Sequence, residues 1–136
     1  MINLEEDIDV IEAGYEFLLA YAAQGRPPQD ESGPGPHPRP ELEKMLAAMN
    51  NASAALSAAE GEFEKVILED LRKAKAAVAF VLSQPLLGSE IIDNLNASIH
   101  VRTMLTDFFI YSEAAQPNAG AQQEAAGQAQ WDKVGN

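Results

Sequence analysis

The sequence contains no cysteine and only two histidines, His37 and His100. The lack of cysteine excludes disulfides, thiolate catalysis and cysteine-ligated zinc or iron–sulfur centres. A carboxylate-bridged di-iron bundle needs a glutamate three residues before a ligating histidine. Ala97 and Pro34 occupy those positions here. We therefore expect no bound metal and no cofactor.

Positive charge is also scarce, because 9 Lys and Arg residues stand against 21 Asp and Glu residues, giving a formal net charge of −12. Binding to a nucleic-acid backbone needs clustered basic side chains, so we expect no direct contact with nucleic acid. No apolar run approaches the roughly 18 residues that cross a bilayer. The N-terminal MINLEEDIDV lacks the basic and apolar regions of a secretion signal. These absences predict a soluble cytoplasmic protein without membrane contact.

Catalytic and nucleotide-binding motifs are missing as well. The chain has no GxGxxG, GxxxxGK[ST], HExxH or GxSxG pattern, and these patterns build dinucleotide, phosphate, zinc and nucleophile sites. No set of polar side chains converges on one predicted face. We therefore predict that the protein is not an enzyme.

Helical periodicity is what the sequence has in abundance. Strand signals are nearly absent, since there is no sustained alternation and no Asn-Gly or Asp-Gly turn. We predict an all-α fold, an antiparallel bundle of four helices. The predicted parts are helix one in residues 1–24, an exposed Pro/Gly-rich linker in 25–40, the remaining bundle helices in 41–114, and a disordered tail in 115–136. The tail could order on binding, because Trp131 and Val134 are its bulky apolar residues.

The number of helices depends on Gly61. Apolar residues keep nearly one phase across Gly61, which favours a bundle of three helices with one long central helix. Helix lengths favour a break there, because a break gives four helices of similar length. We predict the break. The last helix is predicted to have Ser89 as its N-cap and to run to about Glu113.

Helix one presents three surfaces when it is projected at about 100° per residue. A core stripe separates an acidic ridge from a second, smaller apolar strip. The acidic ridge consists of Glu5, Asp9, Glu12 and Glu16, and the apolar strip consists of Val10, Phe17 and Tyr21. The strip could be an internal seam with a neighbouring helix, and the ridge could be a solvated face. We predict instead that both contact a protein partner, and that the strip joins two copies in a homodimer.

The last predicted helix carries Arg102 near the centre of its apolar arc, whereas His100 points away from that arc. The two residues therefore do not form one site. A guanidinium on a core face must be paired with an acid, and Asp70 lies at the edge of the preceding helix's core stripe. Glu12 and Glu16 are the other candidate acids. We predict a structural ion pair between Arg102 and Asp70.

Taken together, these patterns predict a small acidic, non-enzymatic protein that acts by protein–protein interaction as a regulator, adaptor or assembly factor. Two alternatives stay open. The bundle could bind a small anionic ligand through Arg102, or the acidic ridge could imitate nucleic acid and inhibit a basic protein.

Overall fold

A computed structural model of the chain describes residues 4–114. This part is all-α, as predicted, but it contains five helices rather than four and no β-strand. The helices are α1 (Leu4–Ala23), α2 (Pro38–Leu56), α3 (Glu62–Leu82), α4 (Ser89–Ala97) and α5 (Ile99–Ala114). None of these five helices is long and apolar enough to cross a bilayer. The predicted tail in 115–136 lies outside the described residues.

The first three helices end and begin near the predicted signals. α1 stops before Gly25, whose φ of 64° is a left-handed conformation that glycine adopts without steric cost. α2 starts at Pro38, slightly earlier than predicted, because proline is favoured in the first helical turn. α2 ends at Leu56 and α3 follows Gly61, which caps it in an extended conformation. The break near Gly61 is confirmed, and the single long central helix is wrong.

The segment predicted as one final helix is divided at Ser98. This residue is extended, with φ −58° and ψ 126°. Its N–H donates to the Leu95 carbonyl at the end of α4, and its own carbonyl accepts from the Arg102 N–H at the start of α5. The N-cap of α4 is Gly88 rather than Ser89. Ser98 therefore ends one helix and starts another, and the apolar phase changes across it.

The main contacts join the helices in the spatial order α4, α1, α2, α3 and α5. α1 packs against α2 and α4, and α3 packs against α2 and α5. The Asn51 side-chain amide of α2 donates to buried Asp7 of α1 at 3.3 Å. Tyr15 of α1 donates to the Asn96 carbonyl of α4 at 3.4 Å. The five helices share one core, to which every helix contributes fully buried side chains such as Ile11, Met45, Leu71, Ile92 and Phe108.

The loop between α1 and α2 packs on the connection between α3 and α4, although most of its side chains are exposed. The backbone N–H of Arg26 donates to the Ser89 hydroxyl at 2.8 Å, and Ser89 N–H donates back to the Arg26 carbonyl at 2.8 Å. The Gln29 N–H donates to the Leu87 carbonyl at 3.2 Å. These bonds satisfy backbone groups of both loops, so the proline-rich segment is part of the fold.

Arg39 holds the other end of this loop. Its guanidinium donates to the carbonyls of Leu82 and Gln84, at 2.7 and 2.8 Å, where α3 ends. It also lies 3.9 Å from the Glu31 carboxylate. A charged donor on helix-terminal carbonyls satisfies acceptors that have no partner within the helix. Arg39 therefore ties the α1–α2 loop to the end of α3.

Candidate functional site

Arg102 does not occupy the predicted core position. It is exposed, and no ion pair with Asp70 exists among the described residues. The core side chains of α5 are instead Val101, Met104, Leu105 and Phe108. The prediction treated the last two helices as one. Because the chain is extended at Ser98, the apolar phase of α5 is displaced and Arg102 turns outward.

His100 is also exposed, at the start of α5. Within residues 4–114, no group of three or more His, Asp or Glu side chains is arranged to hold a metal ion. Nothing in this part of the chain therefore makes His100 a ligand.

The apolar strip of α1 does not form one exposed surface. Val10 is 37% exposed, Phe17 is half-buried, and Tyr21 is 1% exposed and belongs to the core. The rings of Phe17 and Tyr21 stack with centroids 6.4 Å apart. The Arg26 guanidinium lies 5.8 Å from the centroid of Tyr21, because the following loop folds back over it. Only the Val10 end of the strip is open to a partner.

The acidic ridge is present as a surface. Glu5, Asp9 and Glu16 are exposed and Glu12 is half-buried. α1 contains no Lys or Arg, so no cation on the same helix offsets these charges. This face can meet a basic surface through long-range attraction, which is screened by salt.

A pair of carboxyl groups faces across the contact between α3 and α5. The Tyr111 hydroxyl of α5 donates to the Glu64 carboxylate of α3 at 3.1 Å, which sets the antiparallel register of the two helices. One turn earlier on α5, Asp107 meets Asp70 of α3. Asp70 was singled out from the sequence, but its partner is this second acid rather than Arg102.

The environment of Asp107 favours its neutral form. The residue is 8% exposed. Burial, together with a hydrogen bond to Asp70 and the charge of Asp70, raises the pKa of Asp107 to about 7. Its Oδ2 atom is buried and has no hydrogen-bond partner among the described residues. The pair therefore contains a carboxylate oxygen that could accept a hydrogen bond from a cationic donor.

One row of side chains on α3 includes Asp70, and one row on α5 includes Asp107. Residues three or four positions apart are neighbours on a helix surface, and each row follows that spacing. We call the surface between them the α3–α5 groove. It is bordered by Val66, Asp70, Lys73, Ala77 and Phe80 on α3, and by Ile99, Thr103, Thr106, Asp107 and Ile110 on α5.

Both ends of the α3–α5 groove are apolar and exposed. The antiparallel register places Phe80 at about the level of Ile99, and these side chains are 67% and 68% exposed. At the other end, Val66 lies at about the level of Ile110, and these are 48% and 55% exposed. The groove is therefore apolar at each end and acidic in the middle.

Sequence reasoning missed Asp107 because it projected the last two helices as one, which put Arg102 near the centre of the apolar arc. A projection that starts again at Ile99 would place Asp107 beside the core positions Met104 and Phe108. The missing information was the break at Ser98. No glycine or proline marks that break.

A shallow depression of about 230 Å³ adjoins the α5 side of the groove, lined by Ile99, Arg102, Thr103, Thr106 and Asp107. Small-molecule sites are usually larger, roughly 300–1,000 Å³. The Thr106 hydroxyl already donates to the Arg102 carbonyl at 3.0 Å. Asp107 would also repel an anion when charged. The geometry thus gives little support to an anion site at Arg102.

Comparisons of the chain with protein-family models, with curated proteins and with solved structures find no match.

Proposed function

We propose that the protein acts by protein–protein contact through the α3–α5 groove, as a small acidic, non-enzymatic regulator, adaptor or assembly factor. The observation that carries this proposal is the exposure of Phe80 on α3 and Ile99 on α5, whose side chains are both about two-thirds exposed. Single exposed apolar residues are ordinary on protein surfaces. Aligned apolar side chains on two packed helices are typical of a surface that receives another helix or peptide.

The proposal includes an antiparallel bundle as the scaffold. In it, α4 and α5 together take the place of one helix, with α4 lying on α1 and α5 lying on α3. This division leaves the outer side of the α3–α5 contact free of any further described helix. The groove is thereby presented on rigid elements, which suits recognition better than a loop does.

The chemistry of the groove specifies the partner segment. Apolar side chains would fill the two ends, and a Lys or Arg between them would meet Asp70 and Asp107. A cation there would donate a hydrogen bond to the unpartnered Asp107 oxygen and favour the charged form of the pair. We propose a partner segment that carries one basic residue flanked by apolar residues.

Self-association is one form that this contact can take, and a homodimer is the form that the sequence predicts. The groove replaces the α1 strip as the proposed dimer surface, because Tyr21 lies in the core. Light scattering on the native protein and on Phe80→Ser tests this. A dimer mass that falls to the monomer mass in Phe80→Ser, with unchanged helicity, supports dimerisation through the groove.

Quantitative co-purification tests the proposed function itself. The full-length protein, Phe80→Ser and the matched control Ala47→Ser would be used as baits in the same extract. Ala47 is exposed in the middle of α2, away from the groove. We expect specific proteins that are retained by the native and control baits and lost by Phe80→Ser. Identical recovery by all three baits would contradict contact through the groove.

A second candidate is the acidic ridge, acting as an imitation of nucleic acid toward a basic protein. The exposure of Glu5, Asp9 and Glu16 on a helix without basic residues favours it. Partner capture would then fall steeply with rising salt concentration. The double variant Asp9→Asn and Glu16→Gln should weaken capture, whereas Glu43→Gln on exposed α2 surface should not.

A further inference from the structure

We infer that a second copy of this chain binds along the outer face of α3, with the two α3 helices antiparallel and related by a two-fold axis. The inference rests on the proposed function, because it names the partner of a surface that includes Val66, Lys73 and Phe80. α3 itself has the chemistry of the proposed partner segment, since Lys73 lies between the exposed apolar residues Val66 and Phe80. The register of the two helices determines which side chains meet.

The first argument is the spacing of the exposed side chains of α3. A row of exposed residues follows alternating intervals of four and three positions. We call it the α3 seam, and it consists of Glu62, Val66, Glu69, Lys73, Ala76 and Phe80. The buried positions of α3, such as Leu71 and Val78, lie on the opposite side of the helix. Two helices that pack side by side over several turns use this seven-residue repeat. α3 therefore has a helix-packing surface in addition to its core face.

The second argument is the register that the α3 seam allows. In an antiparallel pair centred on Leu71, every seam residue lies level with a seam residue of the second copy. The level pairs are Val66 with Ala76, Glu69 with Lys73, and Glu62 with Phe80 of the second copy. Each pair occurs twice, because the two-fold axis exchanges the copies. A shift by one seven-residue repeat would leave part of each seam without a partner, so the spacing favours this register.

The third argument is the distribution of charge along α3. Its first half carries four acids and Lys65, whereas its second half carries Arg72, Lys73 and Lys75 and no acid. A parallel copy would bring like charges level, but an antiparallel copy brings Lys73 level with Glu69 and next to Asp70. Charged residues within such a row specify the orientation of the two helices. α3 thus complements itself only when the two copies are antiparallel.

Net charge does not oppose this contact locally. The chain has a formal net charge of −12, but α3 carries equal numbers of acidic and basic residues. The unbalanced acids lie on α1, which packs chiefly on α2 and α4. Repulsion between the α1 helices of two copies is screened by salt beyond about 10 Å.

The available area fits a weak, reversible dimer. α3 has 21 residues, which makes it about 30 Å long at ~1.5 Å per residue. Ile99 and Ile110 of the adjacent α5 are exposed and widen the contact to roughly two helix spacings, about 20 Å. Such a contact buries about 600 Å² on each copy, or ~1,200 Å² in all, which is the lower limit for specific interfaces. The dimer should therefore dissociate on dilution.

Charge reversal at Glu69 and Lys73 tests the register, with sedimentation velocity of the full-length protein over a range of concentrations. Glu69→Lys places lysine opposite lysine at both central contacts, and Lys73→Glu places glutamate opposite glutamate. We expect each variant alone to dimerise at least about tenfold more weakly than the native protein. An equimolar mixture of the two variants restores opposite charges at both contacts, so we expect a dimer that contains one copy of each.

Glu43→Lys and Lys44→Glu on the exposed surface of α2 are the matched controls. They change the net charge by the same amounts and should leave the dimer as it is. Circular dichroism checks that every variant is folded. If either seam variant were unfolded, Ala76→Glu, which brings a carboxylate to exposed seam level with Val66, should weaken the dimer instead.

A native protein that stays monomeric up to millimolar concentration would overturn the inference. A dimer that neither charge reversal weakens, or that the mixture does not restore, would also overturn it. In those cases, loss of a different protein by the Phe80→Ser bait would leave the proposed function standing. Identical recovery by all three baits, with no dimer through the seam, would reject both.

Discussion

At the scale of single residues, Asp107 has the clearest thermodynamic consequence. Its pKa is about 7 in the folded protein and about 3.9 in an unfolded chain. Because the folded pKa is raised, the folded state binds more protons than the unfolded state between these values. The free energy of unfolding therefore falls as pH rises from about 4 to about 7 and levels off above that. The full shift corresponds to at most about 4 kcal/mol.

Asp107→Asn should remove this loss of stability at higher pH, because asparagine does not ionise. We expect the substitution to raise the free energy of unfolding at pH 8 by about 1–3 kcal/mol. Urea denaturation at pH 4.5 and pH 8 measures the effect, with Asp93→Asn as the control. An unchanged pH dependence after the substitution would show that Asp107 is ionised and solvated in the fold.

Arg102 should contribute little to stability. Since its side chain is exposed and unpaired with Asp70, Arg102→Met should change the free energy of unfolding by no more than about 0.5 kcal/mol. The same urea experiment checks this. A loss of several kcal/mol would restore the buried ion pair that the sequence predicted.

Asp70 and Arg102 also show how far a helical projection of the sequence can predict side-chain positions. Asp70 was recognised as a polar residue at the edge of a core stripe, and the structure places it at the contact with α5. Its partner was misassigned because a helical projection depends on knowing where the helix begins. Because the break at Ser98 was not predicted, Arg102 was placed in the core although it is exposed, and the buried position of Asp107 was missed.

At the scale of helices and loops, the boundaries that were predicted well carry strong local signals. Gly25 and the prolines around 27–40 fix the end of α1 and the start of α2 by their backbone preferences. Ser98 has no such preference, since serine occurs in many loop and helix positions. The extended conformation at Ser98 accompanies the packing of α4 on α1 and of α5 on α3, which is long-range information.

The docking of the α1–α2 loop gives a prediction at Gly88. A Cβ atom there would lie 2.6–2.9 Å from backbone atoms of Pro28, Pro27 and Arg26. The loop would have to move, so Gly88→Ala should destabilise the protein by about 1–3 kcal/mol. Thermal denaturation compares it with Gly33→Ala, where a Cβ atom meets nothing within 4 Å. Equal melting temperatures would mean that the loop is not held against Gly88.

At the scale of the whole molecule, unbalanced acidic charge is concentrated on α1, whereas the most exposed large apolar side chains, Phe80, Ile99 and Ile110, lie on α3 and α5. α1 carries acidic residues and no basic residue, whereas α3 carries Lys65, Arg72, Lys73 and Lys75 alongside its acids. The α3–α5 groove is thus closer to neutral than the α1 face. An acidic protein would therefore be repelled less at the groove than at the acidic ridge.

The sequence alone predicts an acidic all-α protein that works by contact, but it does not locate the contact surface. The groove exists because residues of α3 and α5, which are distant in the chain, are brought level by an antiparallel register. Phe80 and Ile99 each look like ordinary exposed residues in a helical projection. Only their alignment across two helices makes them a candidate surface.

Site-specific photo-crosslinking tests the central claim, contact through the α3–α5 groove, most directly. A benzophenone side chain would replace Phe80 in one full-length variant and Ala47 of α2 in a control variant, and products would be identified by mass spectrometry. We expect crosslinks from position 80 to a protein partner, and none of comparable yield from position 47. Equal yields to the same proteins from both positions, or crosslinks from position 47 alone, would contradict it.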